Sequence, residues 1–265
     1  MTPAHRLSHA YRVVATGLCF TLFGVGGLIL PWLAIPLIYL LPGNTDARER
    51  RAKAVIHYAF RGFVEVMRGL GCLTYDPPNR AQLAQPGQLI LANHPTLIDV
   101  VLLIAFTPRA DCIVKGRLLN NPFTGIPIRV AGFIANDDPE HMVELAAASL
   151  ARGNSLVIFP ESTRSTPGQP LTMKRGAANI ALRAGCDITP VVIRCEPITL
   201  SKEHRWYNVP ERRFRITLNV QPVIPIKPFL DADNLPSAAR KLTRYLEHYF
   251  TRELVTHDRS IGAAA

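Results

Sequence analysis

Apolar residues run almost without interruption from position 13 to position 41, and no charged side chain falls among them. A helix needs about 20 such residues to cross a bilayer, so this stretch is long enough to span one. Gly24, Gly26 and Gly27 loosen it, and Pro31 and Pro36 predict kinks, so a bent hairpin dipping into one leaflet competes with a single span. A cleavable signal peptide fits less well, because the run exceeds the usual apolar segment and lacks a small-x-small cleavage site. A buried core helix fits less well again, since nothing polar relieves the run. Between residues 46 and 71 the pattern changes. Arg48, Arg50, Arg51, Lys53, Arg61 and Arg68 interleave with Val55, Ala59, Phe63, Val66 and Leu70, the apolar positions falling three or four apart. This is a basic amphipathic helix, suited to an anionic membrane surface or to packing on the body of the protein, and the two uses are compatible.

From position 72 onward short apolar runs alternate with helical periodicity. Strands are predicted near residues 72–75, 88–92, 111–114, 132–135, 155–159, 188–194 and 213–220, and helices near 96–106, 139–152, 174–184 and 236–254. The second of these helices is punctuated by Asp138 as cap, Pro139 in its first position and Gly153 at its exit. Such alternation predicts an α/β fold, a largely parallel sheet flanked by helices, preceded by an N-terminal hydrophobic membrane-anchoring helix or hairpin. The expected division is an anchor with its basic helix over 1–71, an α/β domain over 72–254, and a tail over 255–265 whose last six residues fray.

Composition narrows the partners. A net charge of +10 on 265 residues, with pI near 9.7, points to an anionic partner, either lipid or nucleic acid. No nucleic-acid reading motif is found and the basic residues flank the apolar run, which favours membrane lipid. Basic residues are denser after the run than before it, so a spanning helix would leave the main domain on the cytoplasmic face, with a bacterial inner membrane as the expected location. Cys19, Cys72, Cys112, Cys186 and Cys195 lack any paired spacing and read as reduced core thiols. His57, His141 and His204 are isolated, so no metal site is expected.

The candidate chemistry lies in residues 88–100, where an apolar run ends in His94 and Asp99 follows. Leu89 to Leu91 read as a buried strand and Pro95 as the opening of the next helix, which puts His94 in the turn and Asp99 in the first helical turns. A carboxylate there is favoured by the helix dipole and can hydrogen-bond one imidazole nitrogen, leaving the other to take a proton from a hydroxyl.

His94, four intervening residues and Asp99 resemble the first motif of the glycerolipid acyltransferases, the PlsC-like or lysophosphatidate acyltransferase family. Residues 159–165, Phe-Pro-Glu-Ser-Thr-Arg-Ser, are similar to its third motif, with Ser162 where glycine is usual, and residues 188–193, Ile-Thr-Pro-Val-Val-Ile, to its fourth. The resemblance covers roughly residues 70–194. It implies acyl transfer from a thioester, acyl-CoA or acyl carrier protein, to a lysolipid hydroxyl in phospholipid biosynthesis, with no cofactor besides that co-substrate. His94 would be the general base and Asp99 its orienting carboxylate. Lys115, Glu161, Ser162, Thr163, Arg164 and Pro190 would bind substrate, with Arg164 on a phosphate and Glu161 on a hydroxyl or a basic neighbour. Backbone N–H groups near His94 or Gly132 are the expected oxyanion donors. Ser162 lacks the Gly-x-Ser-x-Gly elbow and is no hydrolase nucleophile; Pro160, Pro167 and Gly168 put it in an exposed turn.

The second motif departs from the family. Lys115, Pro122, Gly125 and Gly132 to Ile134 fit, but the expected arginine is absent and Ala135, Asn136, Asp137 and Asp138 follow instead. Either Lys115, Arg117 or Arg129 supplies that charge, or the acceptor is a non-glycerophosphate lipid of a specialised pathway. A non-catalytic lipid-binding membrane protein is the reading from a different class.

Overall fold

The computed structural model describes residues 3–121, 124–166, 169–230 and 234–262. Pro122, Pro167 and Gly168 of the sequence reading, and residues 263–265 of its tail, lie outside them. The helices are α1 (Pro3–Leu40), α2 (Thr45–Gly69), α3 (Arg80–Leu83), α4 (Asp99–Phe106), α5 (Gly125–Val130), α6 (Pro139–Ala151), α7 (Gly176–Ala184), α8 (Lys227–Leu230) and α9 (Leu235–Gly262). The strands are β1 (Leu73–Asp76), β2 (Leu89–Ala92), β3 (Ala110–Val114), β4 (Ile134–Ala135), β5 (Ser155–Ile158), β6 (Ile188–Glu196) and β7 (Phe214–Val220). Among the described residues these form one sheet in the order β1-β7-β6-β2-β5-β3-β4. Neighbours are parallel throughout except β6 with β7. The α/β class and the largely parallel sheet are as the alternation predicts.

β2 shows why its sequence is uniformly apolar. Ile90 and Ala92 face a core shared with Ala15 and Cys19 of α1, Val64 and Met67 of α2, and Leu102 and Leu103 of α4. Leu89 and Leu91 face the opposite core, with Met142 of α6, Ile180 of α7 and Leu246 and Phe250 of α9. A central parallel strand covered on both faces buries every side chain, so the period-two alternation of a half-exposed strand disappears. Burying each such leucine contributes roughly 1.5–3 kcal/mol.

The N-terminal region corrects the sequence reading twice. First, α1 is one uninterrupted helix through Pro31 and Pro36. Each proline removes only a single backbone bond from a helix of 38 residues. The reversal comes instead at residues 41–44, where Gly43 takes φ 145° and Asn44 caps α2 by accepting the N–H of Ala47 at 3.0 Å. The helix is held to the body along its length. The His9 ring contacts the Val209 carbonyl at 3.0 Å, Phe23 meets Phe63 at 5.0 Å between ring centroids, and Ile38 packs with Ala52 and Ala131. Its other side carries an exposed apolar stripe of Leu18, Leu22, Val25, Ile29, Leu33, Leu37 and Leu40.

Second, Lys53 does not belong to a solvated basic face. It is 2% exposed, and its Nζ lies 2.7 Å from Asp111 Oδ1 on β3, whose other oxygen accepts from Ser149 on α6. His57 is buried beside it, Nδ1 donating to the Ile104 carbonyl at 2.7 Å. α2 therefore packs on the body by one side, with Arg50 and Arg68 exposed on the other. Two boundaries also move: α4 begins at Asp99 rather than near residue 96, and α9 continues to Gly262 instead of giving way to a tail.

Lys53→Met would leave Asp111 buried without its cation. Breaking a buried ion pair from one side costs about 3–5 kcal/mol, whereas replacing both partners with apolar groups is often neutral. We expect Lys53→Met to lower the denaturation midpoint by that free energy, and Lys53→Met with Asp111→Leu to recover most of it.

Candidate active site

The site sits past the C-terminal ends of three adjacent strands, β2, β5 and β3. β2 stops at Ala92, but the buried Asn93 side chain continues its pairing with β6: Oδ1 accepts the N–H of Ile193 at 2.7 Å and Nδ2 donates to its carbonyl at 2.8 Å. The backbone is thereby free to turn away, and His94 leaves the sheet. Asp99 is the first residue of α4, favoured there by the positive end of the helix. Its carboxylate is completely buried and reaches back across the turn. Oδ2 accepts the His94 Nδ1–H at 2.9 Å and the Thr96 N–H at 2.7 Å, while Oδ1 accepts the Thr96 hydroxyl at 2.5 Å. Pro95 thus shapes the turn rather than opening the helix.

The imidazole is fixed on a second side by Phe159, stacked on it at 4.3 Å and 29°. Among the described residues its Nε2 has no hydrogen-bond partner, and the ring lines a cleft of about 320 Å³. Lys115, Asn136, Ser162, Lys174, Gly176 and Ala177 line the same cleft, with apolar walls from Ile113, Met142 and Ile158. Among the described residues no carboxylate lines it. Burial pushes the Asp99 carboxyl above its ordinary value, an effect opposed by the His94 and Thr96 hydrogen bonds. Burial also raises Glu161, against the pull of the His94 N–H and the Ser165 hydroxyl. A buried acceptor on Nδ1 sets the tautomer with an unprotonated Nε2, the form that accepts a proton from a bound hydroxyl.

A family model described as Acyltransferase matches residues 74–194, which contain all of these catalytic-turn groups. Residues 74–194 resemble the acyltransferase domain of the PlsC-like family. The relatives it matches include 1-acyl-sn-glycerol-3-phosphate acyltransferase alpha of Bos taurus, 28% identical over 89% of this chain and 79% of that protein. The 1-acyl-sn-glycerol-3-phosphate acyltransferase of Helicobacter pylori is 37% identical over 40% of this chain and 48% of its own length. In fold, the acyltransferase is similar to the crystal structure of the 1-acyl-sn-glycerophosphate acyltransferase PlsC from Thermotoga maritima. The TM-score is 0.65, with 18% identity over 90% of this chain and 96% of that one.

Within this acyltransferase the residues singled out from sequence divide. His94, Lys115 and Ser162 come together at the cleft. Ser162 adopts φ 59°, the left-handed conformation that explains why glycine is usual at this point of the motif. Glu161 stands behind His94, nearly buried, accepting the His94 N–H at 2.9 Å and the Ser165 hydroxyl at 2.8 Å, so it steadies the turn. Arg164 is not among the residues that line the cleft, and its Nη1 donates to the carbonyls of Leu200 at 2.9 Å and Ser201 at 2.7 Å. Thr163 is exposed and does not line the cleft. Pro190 is buried within β6 opposite Leu91, also away from it.

The expected backbone oxyanion donors are already committed. The His94 N–H goes to Glu161, Thr96 to Asp99, Leu97 to the Leu200 carbonyl at 3.0 Å, and Gly132 to Arg129 at 3.1 Å. Arg117 and Arg129 do not line the cleft. Asp138 caps α6 by accepting from Glu140 and His141, which turns one of the two second-motif acids away. The residues that sequence reading passed over are Asn93, Thr96 and Lys174. For Asn93 the signal was a lone amide closing an apolar strand, and for Thr96 a hydroxyl three residues before the acid. Among the described residues no group of three or more His, Cys, Asp or Glu is placed to hold a metal ion.

Asp99→Asn would keep an acceptor for Thr96 but present an amide N–H to His94 Nδ1, moving the imidazole proton to Nε2. We expect kcat to fall by about 10²–10⁴-fold. Stability should move the other way, with a sign that depends on pH. A carboxyl whose pKa is raised by folding binds its proton more tightly in the folded state. The wild type therefore loses stability as pH rises from the ordinary value of 3.8 through the folded one, and the penalty is complete above it. The stability of Asp99→Asn relative to wild type, measured by denaturation, should be greater at neutral pH than near pH ~4.

Proposed function

We propose that this acyltransferase moves an acyl group from acyl-CoA or acyl carrier protein to the free hydroxyl of lysophosphatidate or a related lysolipid. The observation that carries the reading is the His94 imidazole, its Nδ1 bonded to buried Asp99 and its Nε2, among the described residues, free in a cleft lined by two lysines and no carboxylate. The names of the relatives support the same acceptor. Nε2 takes the hydroxyl proton as that oxygen attacks the thioester carbonyl. The new C–O bond forms, the C–S bond breaks, and the imidazolium returns the proton to the departing thiolate. Asp99 stabilises the imidazolium meanwhile. With the nearby backbone donors committed, the side chains of Asn136 and Ser162 are left to meet the developing oxyanion.

The acyltransferase reads as membrane-bound through α1, which has a window apolar enough to cross a bilayer and only 17% buried. Its attachment from His9 to Ile38 on the same body favours a helix lying in one leaflet over one that leaves the domain to cross. Basic residues on α2 suit the cytoplasmic, anionic face of that membrane.

His94→Ala should abolish thiol release from acyl-CoA with lysophosphatidate in mixed micelles, and retained turnover would remove His94 from the mechanism. A panel of phosphate-bearing and phosphate-free acceptors identifies the substrate by the mass of the acylated product. Trp32→Glu with Leu33→Glu, at positions 74% and 68% exposed, should shift the protein from vesicle pellet to supernatant. Its melting temperature should stay unchanged. Continued sedimentation with vesicles would exclude α1 as the anchor.

A further inference from the structure

We propose that residues 202–213, in the connection between β6 and β7, make a second lipid contact that sits at the headgroup level of an anionic membrane beside α1. This rests on the reading of α1 as the membrane-bound helix. The chain has two tryptophans, and both are exposed: Trp32 on α1 at 74% and Trp206 on this segment at 46%. Trp206 is fixed where it stands. Its ring leans on Phe20 of α1 at 5.7 Å between centroids and covers Gly17, where an added Cβ would lie 3.5 Å from the indole. Tyr207, also exposed, meets the indole edge-on at 5.6 Å. Val14 and Leu18, close to Gly17 in the same helix, are exposed apolar residues. The two rings therefore border the apolar stripe of α1, and a surface that receives the stripe meets them as well.

An indole or a phenol has an apolar body and a polar tip, so both rings favour the level between lipid headgroups and chains. The charges around them suit that level. Lys202, Arg205, Arg212 and Arg213 are exposed against Glu203 and Glu211, an excess of two positive charges. Arg205 donates to the Tyr207 hydroxyl, and its guanidinium stands 5.8 Å from the centroid of that ring, which puts a cation at the polar end of the aromatic pair. The His204 Nδ1 is engaged with the Ser201 hydroxyl at 2.7 Å. The segment is also tied to α1 by its backbone, through the Val209 carbonyl to His9 and the Glu211 carbonyl to Arg12. An acidic protein surface would match the cations but not the apolar stripe that continues from the rings, so lipid is the partner that fits both. Two rings and two net charges are a small contact beside the stripe of α1. The segment's part is to fix which side of α1 faces the lipid.

The two tryptophans make the test direct. Trp32→Phe leaves Trp206 as the sole reporter, and Trp206→Phe leaves Trp32; melting temperatures confirm that both variants stay folded. With phosphatidylglycerol-containing vesicles, Trp206 emission should shift to the blue. Lipids brominated near the headgroup end of the acyl chain should quench it more than lipids brominated near the methyl end. Adding Arg205→Gln and Arg212→Gln to Trp32→Phe should weaken the vesicle-induced change about 5-fold per arginine, and only when phosphatidylglycerol is present. Quenching of Trp32 with Trp206 still open to aqueous iodide would overturn the proposal, leave α1 as the anchor and give this surface to a protein partner. Stronger quenching of Trp206 from the methyl end would overturn the headgroup-level placement. Quenching of Trp206 but not of Trp32 would support this contact while removing the reading of α1, and a chain that stays off the vesicles would overturn both.

Discussion

The organisation of the site depends on one buried carboxylate. Asp99 has no access to water, so its charge has to be met by protein donors, and the donors that meet it are the His94 ring and both polar hydrogens of Thr96. An unmet carboxylate in that position would be prohibitively costly. That need folds residues 94–99 into a closed turn at the start of α4 and sets the imidazole tautomer as a by-product. Phe159 and Glu161 then act on a turn already shaped, one against the ring and one on the backbone N–H.

The sheet supplies the convergence. In chain order β2, β3 and β5 are far apart, but in space β5 lies between the other two. Their C-terminal ends bring His94, Lys115 and the residues after Ile158 to one edge. Sites at the carboxyl ends of parallel strands are general to α/β folds. What is particular here is that the side facing the apolar helix α1 and the side built on α6, α7 and α9 share the single buried layer of β2.

Much of this was legible in the residue pattern, and the limits have physical causes. The strands, the cap at Asp138 and the pairing of His94 with Asp99 follow from local rules, since the partners lie within one or two turns of chain. The contacts of Arg164 were not legible because the groups it meets are carbonyls 36 and 37 residues away, and a backbone acceptor leaves no trace in side-chain identity. Lys53 was misplaced because helical periodicity records where a charge stands but not whether an acid on another element waits for it. The prolines of α1 overstated a break, since a long helix tolerates the loss of individual bonds. Short helices such as α3, α5 and α8 are below the length at which any period can be counted.

Residues 200 to 211 touch both the catalytic-site region and α1. At one end Leu200 and Ser201 hold Arg164, and the Leu200 oxygen also accepts the Leu97 N–H from the turn bearing His94. Farther along, Trp206 rests on Phe20 at 5.7 Å, and the Val209 and Glu211 carbonyls meet His9 and Arg12. A substitution in this segment would therefore disturb the packing of α1 and the turn bearing His94 together.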